Sequence, residues 1–145
     1  MLTPDFLFTL ANALALPGWA LLVLAPRWRG TKTLVLSGAW PAGLALAYAA
    51  LIAAHYLGPH GAEGGFGSLQ QVAALFQNPW ALLAGWVHYL CFDLFVGAWE
   101  VRDAQRRGVP HWALVPALGF TFLVGPVGLL VYFGVRRFLG KQLPN

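Results

Sequence analysis

Apolar residues dominate the chain and form long runs, which short polar or glycine-rich segments separate. Four of these runs have about 20 residues or more, the length that an α-helix needs to cross the roughly 30 Å hydrocarbon core of a bilayer. The pattern therefore predicts an all-α fold, a four-transmembrane-helix bundle in a single integral membrane domain over residues 1–145. The predicted spans are residues 6–26, 34–56, 79–99 and 112–135.

The segments between the predicted spans are short. Residues 26–32 and 102–110 form compact basic turns, and residues 58–68 are rich in glycine, which is typical of a loop. Between that loop and the third span, residues 69–77 place their larger apolar side chains at helical spacing. This predicts a short interfacial helix before the third span. An extra turn of the third helix, interrupted by Pro79, is the alternative.

Composition supports a membrane protein and excludes other classes. Hydrophobic residues make up 59% and charged residues 10% of the chain, against about 45–50% and about 25% in soluble domains. The single cysteine, Cys91, excludes a disulfide scaffold. The nine Lys and Arg residues flank apolar runs instead of forming a stripe, so membrane lipid is the expected partner and nucleic acid is not. The Ala-, Leu- and Pro-rich composition favours a bacterial inner membrane.

Basic residues also predict an orientation. With four spans, the loops 26–32 and 100–111 lie on one side and carry six Lys and Arg residues, whereas the other side carries three. Short loops rich in Lys and Arg stay in the cytoplasm. Both termini are therefore predicted to lie outside the cytoplasm.

The third span contains two ionisable side chains, His88 and Asp93. An aspartate at the centre of a bilayer costs at least about 2.5–3.5 kcal/mol, so it is a functional candidate by default. The two residues are about 140° apart around a regular helix. They either flank one ligand from different angles or each meet a partner on a neighbouring helix. Structural hydrogen bonding between helices is the alternative interpretation of both.

Further residues surround this pair at similar depth. Their aromatic or polar side chains make them candidates for substrate binding, and Trp86 lies well inside the third span, where it can line an apolar groove. The candidates are Trp86, Tyr89, Phe92, Tyr48 and Asn12.

The end of the third span carries alternating charges. Glu100, Arg102 and Asp103 are predicted to form ion pairs with one another or with Arg106 or Arg107, and so to fix the angle between the third and fourth spans. The histidines follow no recognised metal-ligand spacing, so neither a metal site nor a cofactor is expected. The Gly-Pro step in the fourth span predicts a kink.

Two stretches carry a combination of motifs, GWVHYLCFDLFVGAWEVRDAQRRGVPH (85–111) and GFTFLVGPVGLLVYFGVRR (119–137). The motifs are W-x-H-x-x-x-x-D-L-F, the E-x-x-D that follows, and G-P-x-G-L-L-x-Y. In this combination the chain resembles the small membrane family named for the plant abscisic-acid-deficient-four protein, whose plant members are known as neoxanthin synthase. The resemblance implies conversion of violaxanthin to neoxanthin, in which one epoxide opens to a hydroxyl and a neighbouring C–H is lost to give an allene.

Such an isomerisation needs an acid near the epoxide oxygen and a base near the departing proton. An apolar environment favours the uncharged form of each candidate, so protonated Asp93 is assigned as the acid and neutral His88 as the base, with the reverse assignment open. The leading hypothesis is thus a cofactor-independent isomerase for a carotenoid or related isoprenoid, with both residues facing one enclosed apolar cavity.

Two other functions stay open. The first is a non-enzymatic protein that binds lipid or pigment, or a membrane scaffold, with both residues fully hydrogen-bonded to protein. The second is a small proton-coupled transporter with Asp93 as the relay. A transporter of this size needs several copies to form a conduit, which leaves a homo-oligomer open.

Overall fold

The computed structural model describes residues 2–57 and 63–141, and only the backbone of residues 55–57. These residues are helical nearly throughout and contain no strand, which confirms the all-α fold. A π-helical turn at Lys32–Leu36 joins the second helix to the third. The helices are α1 (Pro4–Leu24), α2 (Arg29–Thr31), α3 (Ala39–Leu57), α4 (Leu69–Leu75), α5 (Pro79–Arg107), α6 (His111–Val124) and α7 (Pro126–Leu139).

Three helical stretches are long and apolar enough to cross a membrane. They are α1, the stretch Arg29–Ala54 that ends in α3, and α5. They correspond to the first three predicted spans and indicate an integral membrane protein. Sequence signals set the bounds of α5, because the Asn78 side chain accepts hydrogen bonds from two N–H groups of the first turn and Gly108 ends the helix at φ +66°.

A separate short helix precedes α5, as the sequence predicts. The Ser68 hydroxyl caps α4 by accepting a hydrogen bond from the Gln71 N–H. The helix ends before Phe76, and α5 begins with its own cap at Asn78. The alternative of an extra turn on α5 is therefore wrong, whereas the location of α4 at a membrane interface stays a prediction.

Helix α5 is the centre of the bundle and packs against α1, α3 and α6. Small residues bring α1 and α5 together. A Cβ atom on Gly18 would lie 3.0 Å from the Leu94 side chain, and one on Gly97 would lie 2.8 Å from the Trp19 ring. Close packing of this kind is how helices associate where water supplies no hydrophobic driving force.

The prediction of a single fourth span over residues 112–135 is wrong. Gly125, at φ +36° and ψ −92°, separates α6 from α7. A Cβ atom on Gly128 would overlap the backbone nitrogen and hydroxyl of Thr121. Seven residues of continuous helix would put these positions about 10 Å apart along the axis. The chain therefore reverses at Gly125, and we call α6 and α7 together the re-entrant hairpin.

The re-entrant hairpin enters and leaves the bundle at the same end. Helix α6 begins four residues after Arg107, and the Lys141 N–H donates a hydrogen bond of 2.9 Å to the Arg107 carbonyl. The 14 residues of α6 extend about 21 Å, as do the residues of α5 from Arg107 back to Asp93. The apex of the hairpin, at Gly125, thus lies beside Asp93. The Asp93 Oδ1 atom would be 2.7 Å from a Cβ atom on Gly125.

This reversal changes the topology of the chain. The start of α1 lies beside the start of α5, where the rings of Phe8 and Trp86 are 5.3 Å apart, whereas Lys141 lies at Arg107. The prediction that both termini share one side is therefore wrong, because α6 and α7 were counted as one crossing. Since the Gln105 amide donates to the Pro26 carbonyl, all nine Lys and Arg residues lie towards one end of the bundle, which we call the basic end.

Single cysteines test this topology. In a Cys91→Ala background, Thr3→Cys and Lys141→Cys should react with a membrane-impermeant maleimide from opposite sides of sealed vesicles. Arg27→Cys is the reference for the basic end and should react from the same side as Lys141→Cys. Reaction of positions 3 and 141 from one side would contradict the re-entrant hairpin.

The contact between α6 and α7 gives a second prediction. Gly128→Ala should lower the free energy of unfolding by about 1–3 kcal/mol, because the added methyl group meets the Thr121 backbone. Gly134→Ala, in the same helix, is the control: its Cβ meets nothing within 4 Å, and it should be neutral or stabilising by up to about 1 kcal/mol. Thermal unfolding in detergent measures both, and equal effects would argue against this packing.

Candidate functional site

The structure divides the predicted site residues into two groups on different sides of α5. Asp93, Trp86 and Tyr89 face α1 and the apex of the re-entrant hairpin. His88 lies on the side nearer α3, where its ring contacts those of Tyr48 and Phe92 at centroid distances of 5.5 and 4.6 Å. The structure therefore does not bring His88 and Asp93 together.

The first group connects three helices. The Trp86 indole N–H donates to the Asn12 side-chain oxygen at 3.2 Å, and its ring lies 5.3 Å from the rings of Phe8 and Tyr89. The Tyr89 hydroxyl donates to the Phe122 carbonyl in α6 at 3.3 Å. We call these five residues together with Asp93 the Asp93 cluster. Because the hairpin ends at the depth of Asp93, it leaves Trp86 uncovered, with 37% of its surface exposed.

Asp93 differs from the rest of this cluster because it is an acidic residue that is buried and incompletely hydrogen-bonded. Its side chain is only 9% exposed, and its Oδ2 atom has no hydrogen-bond partner within the described residues. Buried polar atoms are hydrogen-bonded in the large majority of cases, and leaving one unsatisfied costs about 1–3 kcal/mol. The Tyr89 hydroxyl lies beside this carboxyl but donates to the Phe122 carbonyl, so over the described ranges Asp93 lacks the full hydrogen bonding expected of a purely structural residue.

His88 lines a different feature, a groove of about 250 Å³ between α3, α4 and α5. Gly85 allows the Phe76 ring to approach α5 closely, since a Cβ atom there would lie 2.8 Å from that ring. The groove is mainly apolar, and we call it the His88 groove. Its walls are Tyr48, Ile52, Phe66, Leu75, Phe76, Ala81, Ala84, Gly85 and His88.

A second apolar groove of about 300 Å³ lies between α1 and α3, with Val87 of α5 at its base. Asp93 lines neither groove. The predicted cavity that encloses both His88 and Asp93 is therefore wrong, because the 140° between their directions around α5 points them to different neighbours.

The charged residues at the end of α5 pair only in part as predicted, since the pair of Asp103 with Arg107 forms and others do not. Asp103 makes ion pairs with Arg107 at 2.9 Å and with Arg136 of α7 at 3.3 Å, and it accepts a hydrogen bond of 2.7 Å from the Tyr132 hydroxyl. The contacts with Arg136 and Tyr132 fasten α7 to α5. Arg106, the other predicted partner, forms no ion pair within the described part of the chain.

Glu100 and Arg102 form no ion pairs among the described residues either, so the prediction is wrong for both. Glu100 is fully buried, and its two oxygens accept from the Thr121 hydroxyl at 3.0 and 3.2 Å. Arg102 lies on another side of α5 and donates to the Leu36 carbonyl in the π-helical turn. The side of α5 from which each side chain projects decides its partner, and its separation in sequence from other charged residues does not.

Fold and site together define a small helical membrane protein with three long apolar helices and a re-entrant hairpin that covers one half of its central helix. The chain belongs to the ABA4-like (ABA DEFICIENT 4-like) family, whose model matches residues 6–132. This confirms the resemblance drawn from the motifs. Comparisons with curated proteins and with solved structures find no match.

Sequence reasoning missed the residues that the hairpin contributes. Gly125 and Phe122 lie at the Asp93 cluster, and Tyr132 and Arg136 at Asp103. The motif G-P-x-G-L-L-x-Y could have indicated the hairpin and its residues, since its first glycine adopts positive φ and its tyrosine binds Asp103. Interpreted as a kink within one span, the same motif places Tyr132 far from α5.

The buried hydrogen bond of Glu100 generates a prediction. Thr121→Val keeps the shape of the side chain and removes its hydroxyl, which leaves the buried carboxyl without that partner. The free energy of unfolding should fall by about 1–3 kcal/mol. Thr9→Val removes an exposed hydroxyl that donates to the Asp5 carbonyl and should cost less than about 0.5 kcal/mol. Similar losses in the two variants would speak against a structural role for the Glu100 contact.

Proposed function

We propose that this chain is an integral membrane isomerase that acts on a carotenoid or related isoprenoid carrying an epoxide, with Asp93 as its catalytic residue. The observation that carries this proposal is the buried Oδ2 atom of Asp93, for which the described part of the chain offers no hydrogen-bond partner. A carboxyl group placed in an apolar bundle and left unsatisfied is available to a ligand. Membership of the ABA4-like family supports the substrate class through the reaction assigned to its plant members.

The separation of His88 from Asp93 favours a mechanism with one carboxyl group that acts twice. Protonated Asp93 donates its proton to the epoxide oxygen while the carbon–oxygen bond breaks, which gives a hydroxyl. The carboxylate then accepts the proton of the neighbouring C–H, whose electron pair forms the new double bond of the allene. Atoms and electrons balance without a co-reactant, since substrate and product are isomers and Asp93 returns to its starting form.

The rest of the Asp93 cluster supplies a surface for the substrate. Phe8, Trp86 and Tyr89 present aromatic rings in a row that leads from the start of α5 to the hairpin apex. A polyene that lies along these rings gains apolar and stacking contacts. Its ring end then reaches Asp93 from the side of the bundle that the hairpin does not cover, so the substrate enters laterally from the bilayer.

The topology supports an orientation. We place the basic end in the cytoplasm, because all nine Lys and Arg residues lie towards it and such residues favour the cytoplasmic side. The start of α1 then lies outside the cytoplasm. In a bacterial inner membrane, as the composition favours, the uncovered part of the Asp93 cluster lies in the outer half of the bilayer.

The His88 groove favours a second candidate function, non-enzymatic binding of a lipid or pigment. Its volume of about 250 Å³ is just below the range of about 300–1,000 Å³ for sites that hold drug-sized ligands. Its walls are aromatic and apolar with His88 as a polar group, so it suits one end of an isoprenoid. In this function the protein retains pigment without converting it.

Substitution of Asp93 tests the isomerase. With the chain produced in membranes that contain violaxanthin, Asp93→Asn should reduce product formation by about 10²–10⁴-fold, because the amide keeps the shape and neither donates nor accepts the proton. Asp5→Asn makes the same chemical change at an exposed position in the first turn of α1 and should leave product formation unchanged. Pigment chromatography measures both, and normal product levels from Asp93→Asn would refute the assignment.

Two further measurements separate the alternatives. A loss as large in His88→Gln as in Asp93→Asn would restore the mechanism with two residues. Pigment that co-purifies with wild-type protein but is never converted would support the non-enzymatic function instead. Thermal unfolding of each variant checks that a loss of product is not a loss of fold.

A further inference from the structure

A third cavity, apart from the two apolar grooves and the Asp93 cluster, lies at the basic end. It measures about 450 Å³ and forms where the last turn of α7 returns to the end of α5. The Lys141 N–H donates to the Arg107 carbonyl and fixes this approach. Four of its six lining residues are cations: Arg107, Arg136, Arg137 and Lys141, with Phe133 and Gly140 completing the walls.

Among the described residues, one carboxylate pairs with these cations. Asp103 is 6% exposed and pairs with Arg107 and Arg136. Among the described residues, four positive charges and one negative charge leave three positive charges around the cavity. Asp103 holds the guanidinium groups of Arg107 and Arg136 at the wall, and the excess positive charge favours an anion there.

The location of the cavity indicates the source of that anion. It lies at the end of α5, where a membrane-spanning helix reaches the headgroup layer, and basic pockets between transmembrane helices at this level bind anionic headgroups. Guanidinium groups match the geometry of phosphate oxygens. Next to the cavity, α7 exposes Phe133, Phe138 and Leu130, which offer an apolar surface to acyl chains.

We propose that this cavity, bounded by Arg107, Arg136, Arg137 and Lys141, binds the phosphate group of an anionic membrane lipid. The lipid headgroup sits between the ends of α5 and α7, and its acyl chains run along the outer surface of α7. This site shares no residue with the Asp93 cluster, so its test does not depend on the proposed isomerase function.

Lipid retention tests the site. The full chain is purified in detergent, and binding of phosphatidylglycerol is measured by native mass spectrometry for wild type and for the double variant Arg137→Gln/Lys141→Gln. These substitutions leave the ion pairs of Asp103 intact. Each cation near an anionic headgroup contributes a factor of about five in affinity, so the double variant should bind about 25-fold more weakly.

The matched control is Arg27→Gln/Arg29→Gln, which removes the same charge from the basic end outside the cavity. It should bind phosphatidylglycerol within about threefold of wild type. Equal weakening in the two double variants would overturn the proposal, because binding would then follow the overall charge alone. Unfolding temperatures of lipid-free samples establish that both double variants are folded, so a difference in retention reports on the site.

Binding measurements with two other ligands distinguish a lipid headgroup from free phosphate. Phosphatidylcholine, whose headgroup is zwitterionic, should be retained about tenfold less than phosphatidylglycerol. Millimolar inorganic phosphate should not displace bound phosphatidylglycerol, because the acyl chains add apolar contacts. Complete displacement by inorganic phosphate would contradict a lipid site and assign the cavity to a soluble phosphate.

Discussion

The reversal of the backbone at Gly125 is the constraint on which the rest of the structure depends. It divides one apolar segment into two helices of 14 residues, each about 21 Å long and too short to cross a core of about 30 Å. Polar backbone groups at membrane depth must be satisfied inside the protein. Here the Gly125 N–H bonds to the Thr121 carbonyl, the Gly125 carbonyl accepts from Leu129, and Pro126 has no N–H to satisfy. Both polar backbone groups of Gly125 are therefore satisfied inside the protein.

The length of the hairpin decides which partners each acidic side chain of α5 can reach. Asp103, near the open end, is held by Tyr132 and two arginines, and Glu100, further in, is held by Thr121. Asp93 lies about 10 Å beyond Glu100 along the helix, where only the apex remains and Gly125 offers no side chain. Two acids thus stabilise the hairpin, and the third is left with an unpartnered oxygen.

The length and spacing of apolar runs were enough to predict the first three spans and the short helix α4, and the cost of an aspartate inside a span was enough to single out Asp93. They could not predict the hairpin, because hydropathy does not distinguish one crossing from two antiparallel halves, and the positive φ of Gly125 leaves no trace beyond a Gly-Pro step. The same error made the predicted partners of Asp103 incomplete. Arg136 lies 33 residues further along, on a helix whose direction had been reversed, so only the local partner Arg107 was within reach of sequence reasoning.

The two proposed sites lie at opposite ends of the contact between α5 and the re-entrant hairpin, about 21 Å apart. Contacts at Asp103, Glu100 and Gly125 join the two elements along this whole length. A phosphate bound by Arg107 and Arg136 would add a fourth contact at the open end, where Tyr132, Arg136 and the Lys141 N–H already hold α7 against α5. Since Gly125 joins α6 to α7, a lipid headgroup that stabilises the return of α7 would also favour the position of Gly125 beside Asp93 without touching it.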